Sequence, residues 1–120
     1  MIEELISRVF YARNLAHYEH WVANGVGSKA RHETLGEFYD EVIDAIDMLV
    51  EAYQGAFELV GAIKAPKTKA DEILLVLIED AEWIEKNHEA ICKGNRAVAN
   101  LVDGVTKVYL DAIYALRNLM

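Results

Sequence analysis

The sequence predicts an all-α domain arranged as a four-helix bundle. Three observations lead there. Apolar residues recur three and four apart along four long segments, the period of a helix with one buried face. The breaks between segments are short and built from Gly, Asn, Ser and Pro, which tolerate turn conformations. Among 120 residues, 53% are hydrophobic and one is proline, which supports a single core and excludes both a turn-rich sandwich and a disordered chain. One domain over residues 1–120 is expected, without internal repeats or low-complexity tracts.

The first segment runs from about Ile2 to Trp21, with Ile2, Leu5, Ile6, Val9, Ala12 and Ala16 as its apolar stripe. The break at residues 24–28 contains Gly25 and Gly27, and Ser28 is the expected N-cap of the second segment. That segment runs from about Lys29 to Tyr53 or beyond. Leu35, Phe38, Tyr39, Val42, Ile46, Leu49, Val50 and Tyr53 form its face. Gly55 is a candidate end or kink, with Ala56 to Ile63 as a candidate short helix of its own. Gly61 to Lys69 holds Pro66 and reads as a loop, with Thr68 as a candidate cap. The third segment runs from about Lys69 to Cys92, where Gly94 breaks it and Asn95 can cap the fourth. That last segment is the most regular: Val98, Leu101, Val102, Val105, Val108, Tyr109, Ala112, Leu116 and Leu119 keep helical spacing.

Composition narrows the function classes. Twenty acidic against twelve basic residues give a net charge of −8. Nucleic-acid binding works by neutralising phosphates, so no direct nucleic-acid partner is expected. The longest apolar run, Ile73 to Ile78, is far shorter than the roughly 20 residues that cross a bilayer. Glu3 and Glu4 stand where a secretory signal would carry basic residues. The one cysteine, Cys92, can form neither an internal disulfide nor a cysteine zinc site, and reads as a small buried apolar residue. A reduced, cytoplasmic setting is expected.

The charge is not spread evenly. Between His32 and Ile63 lie Glu33, Glu37, Asp40, Glu41, Asp44, Asp47, Glu51 and Glu58, with no Lys or Arg among them. The other twelve acids are balanced by all twelve bases, so the whole net charge belongs to the second segment. At about 100° per residue, Glu33, Asp40, Asp44, Asp47 and Glu51 share one helix face. A solvated face usually mixes signs, because Glu–Lys pairs four apart support it and like charges oppose it. A one-sign face is either an acidic surface serving solubility or a face meant for cations or a basic partner.

Two histidines border it. His20 falls in line with Ile2 and Val9 on the inward stripe of the first helix, flanked by His17 and Arg13, and His32 opens the second helix between its apolar and acidic faces. Singly, His20 reads as a hydrogen-bonded core residue and His32 as a first-turn surface residue. Together with nearby carboxylates they form the mixed imidazole and carboxylate set that takes iron or zinc. Glu85 and His88 share the Glu-x-x-His spacing of di-iron bundles, but in a single copy.

The spacing across the first two segments resembles the Dps-type miniferritins, the DNA-protection-during-starvation branch of the ferritin-like superfamily. Their signature is a His-Trp pair closing the first helix and a glycine turn. A second His follows twelve residues after the first, an Asp fifteen after that, and a Glu four after the Asp. Here these are His20-Trp21, Gly25, His32, Asp47 and Glu51. The resemblance covers about residues 13 to 54 and implies a ferritin-like bundle whose iron site is shared between subunits. His20 and His32 would come from one chain, Asp47 and Glu51 from its two-fold partner. Helix geometry agrees: fifteen residues separate His32 from Asp47 by roughly 22 Å, too far for one ion, whereas two antiparallel copies of the helix would bring them together.

The resemblance implies ferroxidase-type oxidoreductase activity. Fe(II) would be bound and oxidised by peroxide or oxygen and stored or sequestered by a homo-oligomer, a dimer or closed shell, with zinc as a substitute metal. Trp21 would stand beside the site as an electron donor or radical quencher; it reads equally as a core or interface aromatic. The sequence departs from the family at Gly36, four after the second His, where a further carboxylate is usual, and its crossover from about Gly55 to Lys69 is short. There is no lysine-rich tail to hold DNA. Gly36 favours a second reading, a non-catalytic helical assembly protein whose metal site is degenerate and whose acidic helix docks a basic partner. A zinc hydrolase using the same ligands would need an open coordination position and a poised base, and no motif supplies them.

Overall fold

The computed structural model describes residues 1–66 and 70–119, and among them the chain forms four helices and no strand. α1 spans Ile2–Val22, α2 Ser28–Ala56, α3 Ile73–Cys92 and α4 Arg96–Arg117. The apolar stripes turn inward as expected: all six positions of α1 are buried, as are Leu35, Phe38, Val42, Ile46, Leu49 and Tyr53 of α2 and Val98, Val102, Val105, Tyr109, Ala112 and Leu116 of α4. α1 packs against α2 and α3, and α4 against α2 and α3, which leaves α1/α4 and α2/α3 as diagonals.

The helix starts have separate physical causes. Asn95 caps α4 as expected, its side chain accepting from the Val98 N–H at 3.0 Å. Ser28 does not cap α2. Gly25 and Gly27 both take left-handed backbone, at φ 88° and 79°, and the turn they make draws Ser28 into the first helical turn. Gly27 holds the cap position without a side-chain hydrogen bond. α3 starts four residues later than Lys69, where both Glu72 carboxylate oxygens accept from the Leu74 and Leu75 N–H groups at 3.1 Å. The expected Thr68 cap lies outside the described residues.

Polar contacts fix the helix directions. His32 at the start of α2 meets His20 at the end of α1, so these two are antiparallel. From the end of α2 the chain returns along α1. Glu3 accepts from the Gly61 N–H at 2.7 Å, Ser7 donates to the Lys64 carbonyl at 2.6 Å, Tyr11 donates to the Ala70 carbonyl at 2.9 Å, and Glu19 accepts from the Ile73 N–H at 3.1 Å. The return strap therefore climbs α1 from its first turn to its last. α3 then descends parallel to α2, and α4 rises antiparallel to α3, with His88 against Asp103 and Asp80 against Tyr109. The architecture is up, down, down, up, with one long crossover.

The short helix expected at Ala56 to Ile63 is absent; apart from Ala56, which closes α2, these residues carry no helix. Its amides bond to side chains instead: the Val60 N–H donates to Gln54 Oε1 at 3.0 Å and the Gly61 N–H to Glu3 at 2.7 Å. The Gly61 amide also holds the Glu3 carboxyl below its ordinary pKa of 4.5.

One polar cluster lies inside the bundle. Asp80 is 1% exposed, accepts from Arg8 at 3.0 Å and accepts from the Tyr109 hydroxyl at 2.9 Å. Arg8 also contacts Glu4 at 3.1 Å and lies over the Trp83 ring at 4.8 Å. Burial pushes the Asp80 carboxyl up from 3.8 to about 6, outweighing the two hydrogen bonds that stabilise its charge. Burial and the neighbouring Asp80 charge push Tyr109 up as well.

Because the folded chain holds the Asp80 proton up to about pH 6 and the unfolded chain releases it near 3.8, the folded state binds the extra proton between those values. This group's contribution to stability therefore falls as pH rises through that window. Urea unfolding of the parent and Asp80→Asn should show it: relative to the variant, the parent loses about 2 kcal/mol between roughly pH 4 and pH 7. A stability difference independent of pH would show that Asp80 ionises like an exposed carboxylate.

Candidate metal centre

The histidines at the α1–α2 corner form a reciprocal clasp. The His20 Nδ1 lies 2.6 Å from the His32 carbonyl oxygen, and the His32 Nδ1 lies 2.9 Å from the His20 carbonyl oxygen. A carbonyl only accepts, so each Nδ1 carries the proton and donates. In the neutral form of each ring Nε2 then keeps its lone pair, and neither Nε2 has a hydrogen-bond partner among the described residues. The rings stack with centroids 3.5 Å apart and planes 21° from parallel. A ring whose Nδ1–H is tied to a backbone carbonyl is the usual arrangement behind a metal-binding Nε2.

Neighbours on both helices support the clasp. Tyr39 packs edge-on to His20 at 5.3 Å and stacks on His17 at 4.1 Å, while the Arg13 guanidinium lies 5.7 Å from the Tyr39 centroid. Gly36 gives the ring room. A Cβ there would stand 3.2 Å from His20 Cε1 and 3.4 Å from its Nδ1, so the ring would have to give by a few tenths of an ångström to admit a side chain.

His20 does not join the core stripe as expected; it sits half-buried at the stripe's edge, and His32 is exposed. The core alternative for Trp21 is also overturned. Trp21 is 68% exposed, with one ring contact to His17 at 4.4 Å. Asp47 and Glu51 are exposed on α2, and none of the eight acids of its charged stretch pairs with a base among the described residues. Asp47 and Glu51 border a pocket of about 260 Å³ walled by Phe10, Val50, Val60 and Ile63. They stand fifteen and nineteen residues from His32, so one copy holds imidazoles at one end of α2 and carboxylates toward the other. Among the described residues no group of three or more His, Cys, Asp or Glu side chains is gathered to hold an ion.

The Glu85 and His88 spacing does not form a pair. His88 Nε2 instead meets Asp103 of α4 at 2.8 Å. Cys92 is buried as expected, its thiol donating to the His88 carbonyl at 3.0 Å. The buried Arg8, Asp80 and Tyr109 cluster was not anticipated. Its one sequence signal is Asp80 itself, seven residues after Ile73 and four before Ile84 on the buried side of α3.

The chain belongs to DUF5856, a family of unknown function. The match covers residues 25–116, which takes in His32, Gly36, Asp47 and Glu51 and begins after His20 and Trp21. No curated protein and no solved structure matches the chain.

Histidine-selective 15N NMR should report both His20 and His32 as Nδ1-protonated tautomers. Gly36→Ala should displace the His20 ring and return its signal toward the ordinary tautomer mixture, while the fold persists, since alanine favours helix over glycine by about 1 kcal/mol. An unchanged His20 signal in that variant would mean that the glycine is not needed for the stack.

Proposed function

We propose that the chain is a ferritin-like, miniferritin-type protein that binds Fe(II) as substrate between two copies, promotes its oxidation, and stores or sequesters the product. The observation that carries this reading is the locking of both Nδ1 atoms at His20 and His32, which leaves two Nε2 lone pairs at one corner of the bundle. Three further features support it. The up, down, down, up order with a single long crossover is the connectivity of ferritin-like bundles. Asp47 and Glu51 lie on the outer acidic face of α2, without an ion-pair partner among the described residues. The distance between imidazoles and carboxylates suits an antiparallel pairing of α2 with α2 about a two-fold axis, which creates two equivalent sites.

Each part of the donor set has a task. Neutral imidazole nitrogen suits Fe(II), and carboxylate oxygen suits the harder Fe(III), so a mixed set accepts the metal in both states. The carbonyls of residues 20 and 32 fix the ring orientation in advance. The acid face of α2 offers further oxygen atoms over which oxidised iron can be held. Zn2+ fits the same donors and would compete without being oxidised. A reduced, cytoplasmic setting suits both Fe(II) and a free thiol at Cys92.

Anaerobic addition of Fe(II) followed by peroxide should give a ferric absorbance signal, and Asp47→Ala with Glu51→Ala should remove most of it. His20→Ala and His32→Ala should act likewise, because each site needs ligands from both copies. Oxidation at the parental rate in the Asp47 and Glu51 double variant would eliminate this assignment. A metal-indifferent chain would instead support the assembly-protein reading, in which α2 docks a basic partner.

A further inference from the structure

We infer that Glu19 and Arg31 are the positioning pair of the histidine corner; this rests on the reading of His20 and His32 as ligands and says what holds their clasp closed. The two pairs are adjacent rungs between α1 and α2. Glu19 precedes His20, Arg31 precedes His32, and both pairs span twelve residues. Arg31 Nη2 donates to Glu19 Oε1 at 2.6 Å. The other oxygen, Oε2, accepts from the Ile73 N–H at 3.1 Å. Ile73 is the first residue of α3 and is fully buried. One carboxylate thus joins α1, α2 and the start of α3.

The start of α2 needs such a hold. Gly25 and Gly27 precede it in left-handed backbone, its cap makes no side-chain hydrogen bond, and its first turn carries no acid. It opens instead with Lys29 and Arg31, cations where the helix dipole favours anions. Helix ends without capping partners fray. His32 is the fifth residue of α2, so fraying there opens the clasp. Glu19 supplies from α1 the negative charge that this end lacks. An exposed ion pair contributes little, because water and salt screen it and two long side chains must be ordered. Here the Glu19 side chain is 16% exposed, and the Ile73 N–H already fixes one of its oxygens. Charge-assisted bonds are also stronger than the neutral bonds from Nδ1–H to carbonyl that close the clasp. The pair therefore sets the height of α2 against α1, and the imidazoles close on that register. Glu19 and Arg31 are positioning residues and not ligands: each acts through the histidine that follows it.

The test starts without metal. In Arg31→Gln and Glu19→Gln, histidine-selective 15N NMR should show the His20 and His32 signals leaving the Nδ1-protonated form for the ordinary tautomer mixture. Arg31→Lys, which keeps the charge, should recover most of the parental signal. Lys107→Gln, which breaks an exposed pair with Asp111 on α4, should leave it unchanged. Glu19→Gln keeps an oxygen for the Ile73 N–H, so helix content by circular dichroism should stay parental; should it fall, the Arg31 variants decide, because that side chain is a third exposed. Zn2+ affinity, read by competition with a chromogenic chelator, should drop about tenfold in Arg31→Gln and Glu19→Gln, the loss usual when support behind a metal-binding histidine is removed. Parental tautomers in Arg31→Gln, or equal losses in Arg31→Gln and Arg31→Lys, overturn the positioning role. Loosened tautomers with parental Zn2+ affinity overturn it too, because the clasp then does not govern the ligands. If the tautomers loosen as expected but the parent itself binds no Zn2+, the pair still positions the clasp and the reading of the corner as a metal site falls.

Discussion

Asp80 is the constraint around which the bundle is arranged. It is the one acid held in the interior among the described residues, and its two oxygens engage α1 through Arg8 and α4 through Tyr109. A buried carboxylate with one partner removed costs several kcal/mol, so both hydrogen bonds must form together. Apolar stripes alone would allow the helices to slide by a turn; a buried donor and acceptor set does not. The cluster therefore fixes the relative heights of α1, α3 and α4. α2 makes none of its hydrogen bonds and meets it only through Phe38, edge-on to the Tyr109 ring at 5.2 Å. Its inner face is apolar, it is tied at its start by the histidine clasp and near its end by the Lys93 to Tyr53 hydrogen bond at 3.0 Å, and its outer face is free to carry charge.

Much of this was legible in the sequence because one rule governs it. Helical periodicity located the stripes of α1, α2 and α4, the acids of α2 fell on its outer side, and Asn95 capped α4. The failures came where a different constraint won. Ser28 lost the cap because two left-handed glycines pulled it into the helix. The segment after Ala56 lost its helix where the Val60 and Gly61 N–H groups bond to the Gln54 and Glu3 side chains instead. The polar residues that hold this strap, Glu3, Ser7, Tyr11 and Glu19, lie four or eight apart beside the apolar stripe of α1, a pattern indistinguishable from an ordinary solvated flank until the strap is seen. Arg8 and Asp80 are charged residues seventy-two apart, and no local pattern announces that they meet.

Gly36 illustrates how a departure in sequence becomes a feature in space. Along one chain, it is a glycine where the resemblance leads one to expect a carboxylate. In the fold, it is the gap into which the His20 ring fits, and the ring there reaches the His32 carbonyl. A Cβ at this position would stand 3.2 Å from the His20 ring, so a side chain here and the clasp compete for the same space.

The charge of α2 bears on assembly as well as on metal. Under the proposed pairing, two antiparallel copies of α2 bring Asp40 and Asp44 of each toward the axis, while Asp47 and Glu51 approach the other copy's imidazoles. Without cations, carboxylates face carboxylates and the pairing is opposed; like charges at close range are costly wherever water is excluded. Bound divalent ions remove that opposition and add bonds that span both copies. Metal affinity and dimer affinity then become two sides of one equilibrium, each raising the other by the same factor. An acidic face that forms no ion pair among the described residues is a poor surface for a constitutive dimer and a suitable one for a dimer that forms when metal arrives.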